Sequence, residues 1–121
     1  MARYVEPTRQ LVVEILVRDL AVSRAFYQRF GFEVIREEGS FLELAWEGHL
    51  FFLAEMPDQP PAPEAPVGNV RVMVPDVDRW WSLARETGAR IVAPIGDRYY
   101  GLRDFTIADP DGFGLRFASW L

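Results

Sequence analysis

Apolar positions along the chain alternate between two periods, and the alternation happens twice. A strand-like run at 11–17 ends at Asp19, after which Val22, Ala25, Phe26 and Phe30 recur at spacings of three and four. That spacing predicts an amphipathic helix, closed by Gly31. Three more strand-like runs follow at 32–36, 41–46 and 50–54. The second half repeats the order, with a strand at 70–74, a helix carrying Val77, Trp80, Trp81 and Ala84 up to Gly88, and strands at 90–93, 103–108 and 114–118. Asp19 and Asp76 each stand where a side-chain carboxylate can accept from the unpaired amides of a first helical turn. Gly31 and Gly88 stand where a left-handed residue ends a helix at little cost.

The two halves superpose as sequences. Val17, Asp19, Leu20 and Gly31 fall on Val74, Asp76, Val77 and Gly88 at an offset of 57, while Gly48 meets Gly112 at an offset of 64. The second half therefore carries about seven extra residues, placed by the comparison in the loop APIGDRYYG. The organisation reads as β-α-β-β-β repeated, with a period of roughly sixty residues. Five of the nine prolines lie between Met56 and Gly68, a stretch that can join neither a helix nor a sheet interior. The expectation is one domain over 1–121, with a first module at 11–56, a proline-rich linker at 57–68 and a second module at 69–121. A long surface loop would fit the same prolines.

Composition narrows the chemistry. With 121 residues, half of them apolar, the chain has room for one compact core. It has no Cys and a single His, His49, so a thiol nucleophile, a disulfide framework and a Cys/His zinc site are excluded. The net charge is −5 and all thirteen basic residues are Arg, a balance that argues against non-specific nucleic-acid binding. No apolar run approaches a membrane span and the N-terminus has no signal-like core. A cytoplasmic location with no membrane partner is expected.

The segments VRDLAVSRAFYQRFGFEVI, VPDVDRWWSLARETGARIV and YYGLRDFTIADPDGFGLRF together resemble the vicinal-oxygen-chelate superfamily of glyoxalases, extradiol dioxygenases and bleomycin-resistance proteins. The likeness runs from Val12 to Phe117 and is greatest to the bleomycin-resistance branch. It implies an α+β fold in which two βαβββ modules form a cupped mixed sheet around a ligand cleft, in a homodimer. It also implies four metal-ligand positions, which fall here on Val12, Phe52, Asn69 and Arg116. Val and Phe offer no lone pair, a guanidinium repels a cation, and one Asn carbonyl is a weak ligand by itself. No metal and no other cofactor is expected.

Strand alternation aims Val13, Ile15 and Val17 at a helix and Glu14 at the opposite face. The offset carries this to Asn69 and Arg71, and the last strands add Phe52 and Arg116. A structural Glu14–Arg71 ion pair competes evenly with a ligand-binding role for those two residues. Tyr99, Tyr100 and Arg103 in and beside the inserted loop, with Trp46 at a strand end, offer aromatic faces and a charge to a guest, although aromatic residues in such places more often cover a core or a seam. Trp80 and Trp81 read as core, His49 as a solvated turn residue, and Asp109 and Asp111 as turn formers. No catalytic residue is assigned. The expected function is a metal-free protein that sequesters an aromatic, charged or zwitterionic small molecule, with an antibiotic-like compound among the candidates, in a cleft between modules. The alternative is a metal-dependent or acid–base lyase, isomerase or dioxygenase, with Glu14 as the candidate base if no metal takes part.

Overall fold

The structure, a computed structural model, describes residues 4–121. It divides into two compact units, the first ending at Pro60 and the second spanning Pro61–Leu121. Each is a four-stranded mixed sheet with one helix packed on it, an α+β arrangement. Among the described residues no helix is long and apolar enough to cross a membrane.

In the first unit a short 3-10 turn, Pro7–Arg9, precedes β1 (Val13–Val17), α1 (Leu20–Arg29), β2 (Glu33–Glu38), β3 (Phe41–Trp46) and β4 (His49–Glu55). The sheet order is β1-β4-β3-β2, with β1 and β4 parallel and the other pairs antiparallel. Alternation sends Ile15, Val17, Leu42, Leu44, Phe51 and Leu53 to one face, where all are buried. The Tyr27 ring meets Phe51 edge-on at 5.3 Å and fixes the helix on that face. Phe32 stands beside both, its ring 5.3 Å from Tyr27 and 5.9 Å from Phe51.

The second unit repeats this with β5 (Asn69–Met73), α2 (Val77–Thr87), β6 (Arg90–Asp97), β7 (Leu102–Ala108) and β8 (Gly114–Trp120), in the order β5-β8-β7-β6. Here β5 and β8 are the parallel pair. The two indoles of α2 pack as the apolar spacing predicts. Trp80 stacks on Phe117 at 4.8 Å and Trp81 meets Phe105 edge-on at 5.2 Å.

Three local expectations are corrected. The buried face of α1 is Leu20, Ser23 and Tyr27, completed by Phe30 at the C-cap, while Val22 is half exposed and Ala25 is exposed. The helix is turned from the stripe read in sequence because Tyr27, a large ring with an apolar body, takes the sheet-facing position. The Asp19 carboxylate does accept from Ala21 and Val22, but Asp76 makes no side-chain cap. Instead the Val77 amide donates to Ser119 Oγ at 3.0 Å, and that hydroxyl donates to the Val74 carbonyl at 2.6 Å. The first unit has the same device, since the Leu20 amide donates to Glu55 at 2.9 Å. Glu55 and Ser119 lie 64 apart, the offset of the last strands. Finally, β6 takes in residues up to Asp97 that the sequence assigned to the inserted loop. Its register against β7 slips between Ile91 and Ala93 and again between Ala93 and Gly96, and these irregularities absorb part of the insertion. The connection left is 98–101.

The DPDG segment is a turn, as its composition predicts. Asp109 is buried, and its Oδ1 accepts from the amides of Asp111 and Phe113, each at 2.9 Å.

Candidate functional site

Each sheet has one face under its helix and one free of it. In β7 and β8, Phe105, Ile107, Leu115 and Phe117 are buried on the helix side, so Asp104, Thr106, Gly114 and Arg116 belong to the helix-free face. The ladders align Arg71, Arg116 and Thr106 in one row across β5, β8 and β7.

Asp104 is the centre of this face. It is 3% exposed and its two oxygens are divided among three donors. Oδ1 accepts from Arg98 Nε at 2.7 Å. Oδ2 accepts from Tyr100 Oη at 2.7 Å and from Arg116 Nε and Nη2 at 3.0 and 2.6 Å. Arg116 Nη2 also donates to Tyr100 Oη at 3.0 Å, and its guanidinium lies 5.4 Å from the Tyr100 ring centroid. Arg98 continues to the carbonyls of Pro94 and Asp104, at 2.6 and 3.1 Å. The 98–101 connection is thereby tied to β7 and β8.

Burial opposes ionisation of Asp104, but the hydrogen bonds from Tyr100, Arg98 and Arg116 outweigh it and hold the carboxyl below its ordinary range. The same bond to Asp104, aided by desolvation, pushes the Tyr100 hydroxyl above its ordinary value. Asp104 therefore stays an anion and Tyr100 a donor across the neutral range.

The first unit presents a different row. Glu14, Phe52, Glu43 and Arg36 align across β1, β4, β3 and β2. Phe41 packs edge-on against Phe52 at 5.1 Å, with the Arg36 guanidinium 5.3 Å from the Phe41 centroid. The nearly buried Glu43 accepts from Arg36 Nε at 3.4 Å. Glu14 is exposed and forms no ion pair with a described residue of its own unit.

The predicted site residues separate accordingly. Arg71, Arg116, Asn69 and Tyr100 belong to the helix-free side of the second unit, and Glu14 and Phe52 to that of the first. Trp46 and Arg103 do not join them. Trp46 falls with Leu42 and Leu44 on the helix side of β3, its ring 5.3 Å from that of Phe32. Arg103 binds Asp78 of α2 at 2.9 and 3.2 Å and Asp97 at 3.0 Å. These bonds raise the Arg103 pKa, and the Arg103 bond lowers that of Asp78. Tyr99 is fully exposed and touches the Tyr100 ring edge-on at 5.2 Å. Sequence reasoning missed Asp104, Arg98 and Glu43. The signal for Asp104 was present: a carboxylate at an even position of β7 shares the face of Arg116 and needs a cationic partner once buried.

The sequence profile of the Glyoxalase/Bleomycin resistance protein/Dioxygenase superfamily matches residues 9–117. The chain belongs to this superfamily. Among solved structures of the same fold, a glyoxalase/dioxygenase from Nostoc punctiforme superposes with a TM-score of 0.79 at 17% identity, covering 100% of this chain and 99% of that one. TioX from Micromonospora sp. ML1 gives 0.76 at 25% identity, with 92% and 98% covered. A bleomycin-binding protein complexed with bleomycin gives 0.72 at 21% identity, with 91% and 97% covered. A sequence search of curated proteins returned no match.

The superfamily includes metal enzymes, so the fit of a metal can be tested residue by residue. Phe52 presents only a ring, and Val12 only carbon. Arg116 is a cation already engaged by Asp104. Asn69 is in register with Gly114, where an added Cβ would come within 2.7 Å of the Asn69 Cβ, so Asn69 has a close backbone neighbour and no second donor side chain at that register. Among the described residues no group of three or more His, Asp or Glu could hold a metal ion. The superfamily's metal set does not fit these residues.

Proposed function

We propose that this superfamily member is a metal-free binding protein that sequesters an aromatic, charged small molecule without transforming it. The observation that carries this reading is Arg116. It stands where the metal enzymes of the superfamily place a ligand, and it is committed instead to a guanidinium–carboxylate–phenol network with Asp104 and Tyr100. A cation locked to a buried anion is a preorganised donor for a guest and a poor neighbour for a metal ion. The fold's occurrence in a bleomycin-binding protein supports a small molecule as the guest.

The reading includes a homodimer, because a unit of about sixty residues with an open sheet face buries too little by itself. Elemental analysis of the purified protein tests the metal claim: far less than one equivalent of Zn, Mn, Fe or Ni per chain is expected, and close to one equivalent would overturn it. A thermal-shift screen of aromatic ions tests the binding claim, since a guest that binds only the folded state raises Tm.

A further inference from the structure

We propose that the helix-free face of the second unit is an oxyanion site, in which Arg71 and Arg116 receive a carboxylate or phosphate group carried by a planar body. The inference rests on the binding-protein reading and adds the chemical class of the guest.

Charge on this face does not balance. Arg71 and Arg116 are register partners on adjacent parallel strands, so their side chains leave the same face from backbones about 4.8 Å apart. Two guanidinium groups so placed repel unless an anion answers them. Asp104 answers only one side, because its oxygens are already taken by Arg98, Arg116 and Tyr100. Arg71 is exposed and has no ionic partner among the described residues of its unit. Arg98, Arg116 and Arg71 against Asp104 leave this face with a surplus of two positive charges, on a chain whose net charge is −5.

The free donors have a defined place. Arg116 uses Nε and Nη2 on Asp104 and Tyr100, while its Nη1 donates to no described group. That nitrogen and the whole Arg71 fork are left for a guest. A guanidinium fork matches the paired oxygens of a carboxylate or phosphate in a bidentate manner. Tyr100, about half exposed and held by Asp104, puts an aromatic surface beside the same guanidinium. Asp104 and Arg98 act here as positioning residues, since Asp104 fixes Arg116 and Tyr100 and Arg98 ties the 98–101 connection to Asp104.

The test uses the full-length protein and four probes of one size: benzoate, phenyl phosphate, benzamidine and benzyl alcohol. Binding is followed by NMR through backbone amide and arginine Nε–Hε signals. Benzoate or phenyl phosphate is expected to shift Arg71 and Arg116 signals saturably, with benzamidine and benzyl alcohol at least tenfold weaker. Whichever anion binds more tightly identifies the oxyanion. Arg71→Gln is expected to weaken that probe at least tenfold while Tm stays within about 1 °C, because Arg71 holds nothing in its own unit. Anion binding untouched by this substitution, or no anion binding at all, overturns the proposal. Preferred binding of benzamidine or benzyl alcohol also overturns it, yet leaves the binding-protein reading standing. Stoichiometric metal in the purified protein removes that reading whichever probe binds.

Discussion

Asp104 holds three side-chain donors on two oxygens, and that concentration makes it the most consequential single residue described. Replacing it by Asn keeps its shape and removes its charge, leaving Arg98 and Arg116 unanswered in a largely buried place. Asp104→Asn is expected to cost roughly 3 kcal/mol in chemical denaturation, the scale of breaking a buried pair from one side. The pH dependence follows from the sign of the shift. The folded carboxyl titrates below its unfolded counterpart, so its stabilisation is complete above the unfolded value near 4 and is lost as pH falls through the folded one. The gap in stability between wild type and Asp104→Asn is therefore expected to narrow as unfolding curves are taken below about pH 4. Tyr100 has the opposite sign. Its raised hydroxyl contributes stability below about pH 10 that disappears as pH rises through the folded value. Tyr100→Phe is expected to remove that alkaline loss, which spectroscopic titration coupled to thermal melts would detect. Tyr100 and Arg116 stood out in the sequence, but that both meet Asp104, together with Arg98, was not legible there. Partner choice depends on the path of the 98–101 connection.

Secondary-structure elements were the most legible level. Both helices, the order of the strands and the facing of Phe51, Leu53, Leu115 and Phe117 follow from periodicity and from the internal offset. The caps were only half legible. A local carboxylate signals a cap whether or not it makes one, and the true acceptor for Val77 lies 42 residues away in sequence. The structure separates the two candidates sharply. Ser119→Ala is expected to destabilise by about 1 to 2 kcal/mol, since it removes a buried cap acceptor and the donor to the Val74 carbonyl. Asp76→Ala is expected to stay within about 0.5 kcal/mol, as an exposed residue with no cap bond. Paired urea melts decide between them, and equal losses would mean that the Ser119 bond is not the cap that matters. The extent of β6 was illegible for a different reason: Pro94 and Gly96 read as loop residues, yet an edge strand with slipped register admits both.

For the whole molecule, the reading of two copies per assembly predicts sedimentation at twice the chain mass of 13.9 kDa, and a stable monomer at micromolar concentration would refute it. The duplication legible in the sequence also makes the molecule its own control, because any position can be compared with its counterpart in the other unit. Gly114, the first residue of β8, and Leu50, the second of β4, are such a pair, each opposite an alanine, Ala108 and Ala45. A methyl group at Gly114 would lie 2.7 Å from the Asn69 Cβ and 2.9 Å from the Gly68 carbonyl, whereas the first unit carries a whole leucine at the matching place. The same register position is closed to a side chain in one unit and open to one in the other. A saturation scan would record that difference as a contrast, with Leu50 accepting most apolar replacements and Gly114 accepting almost none.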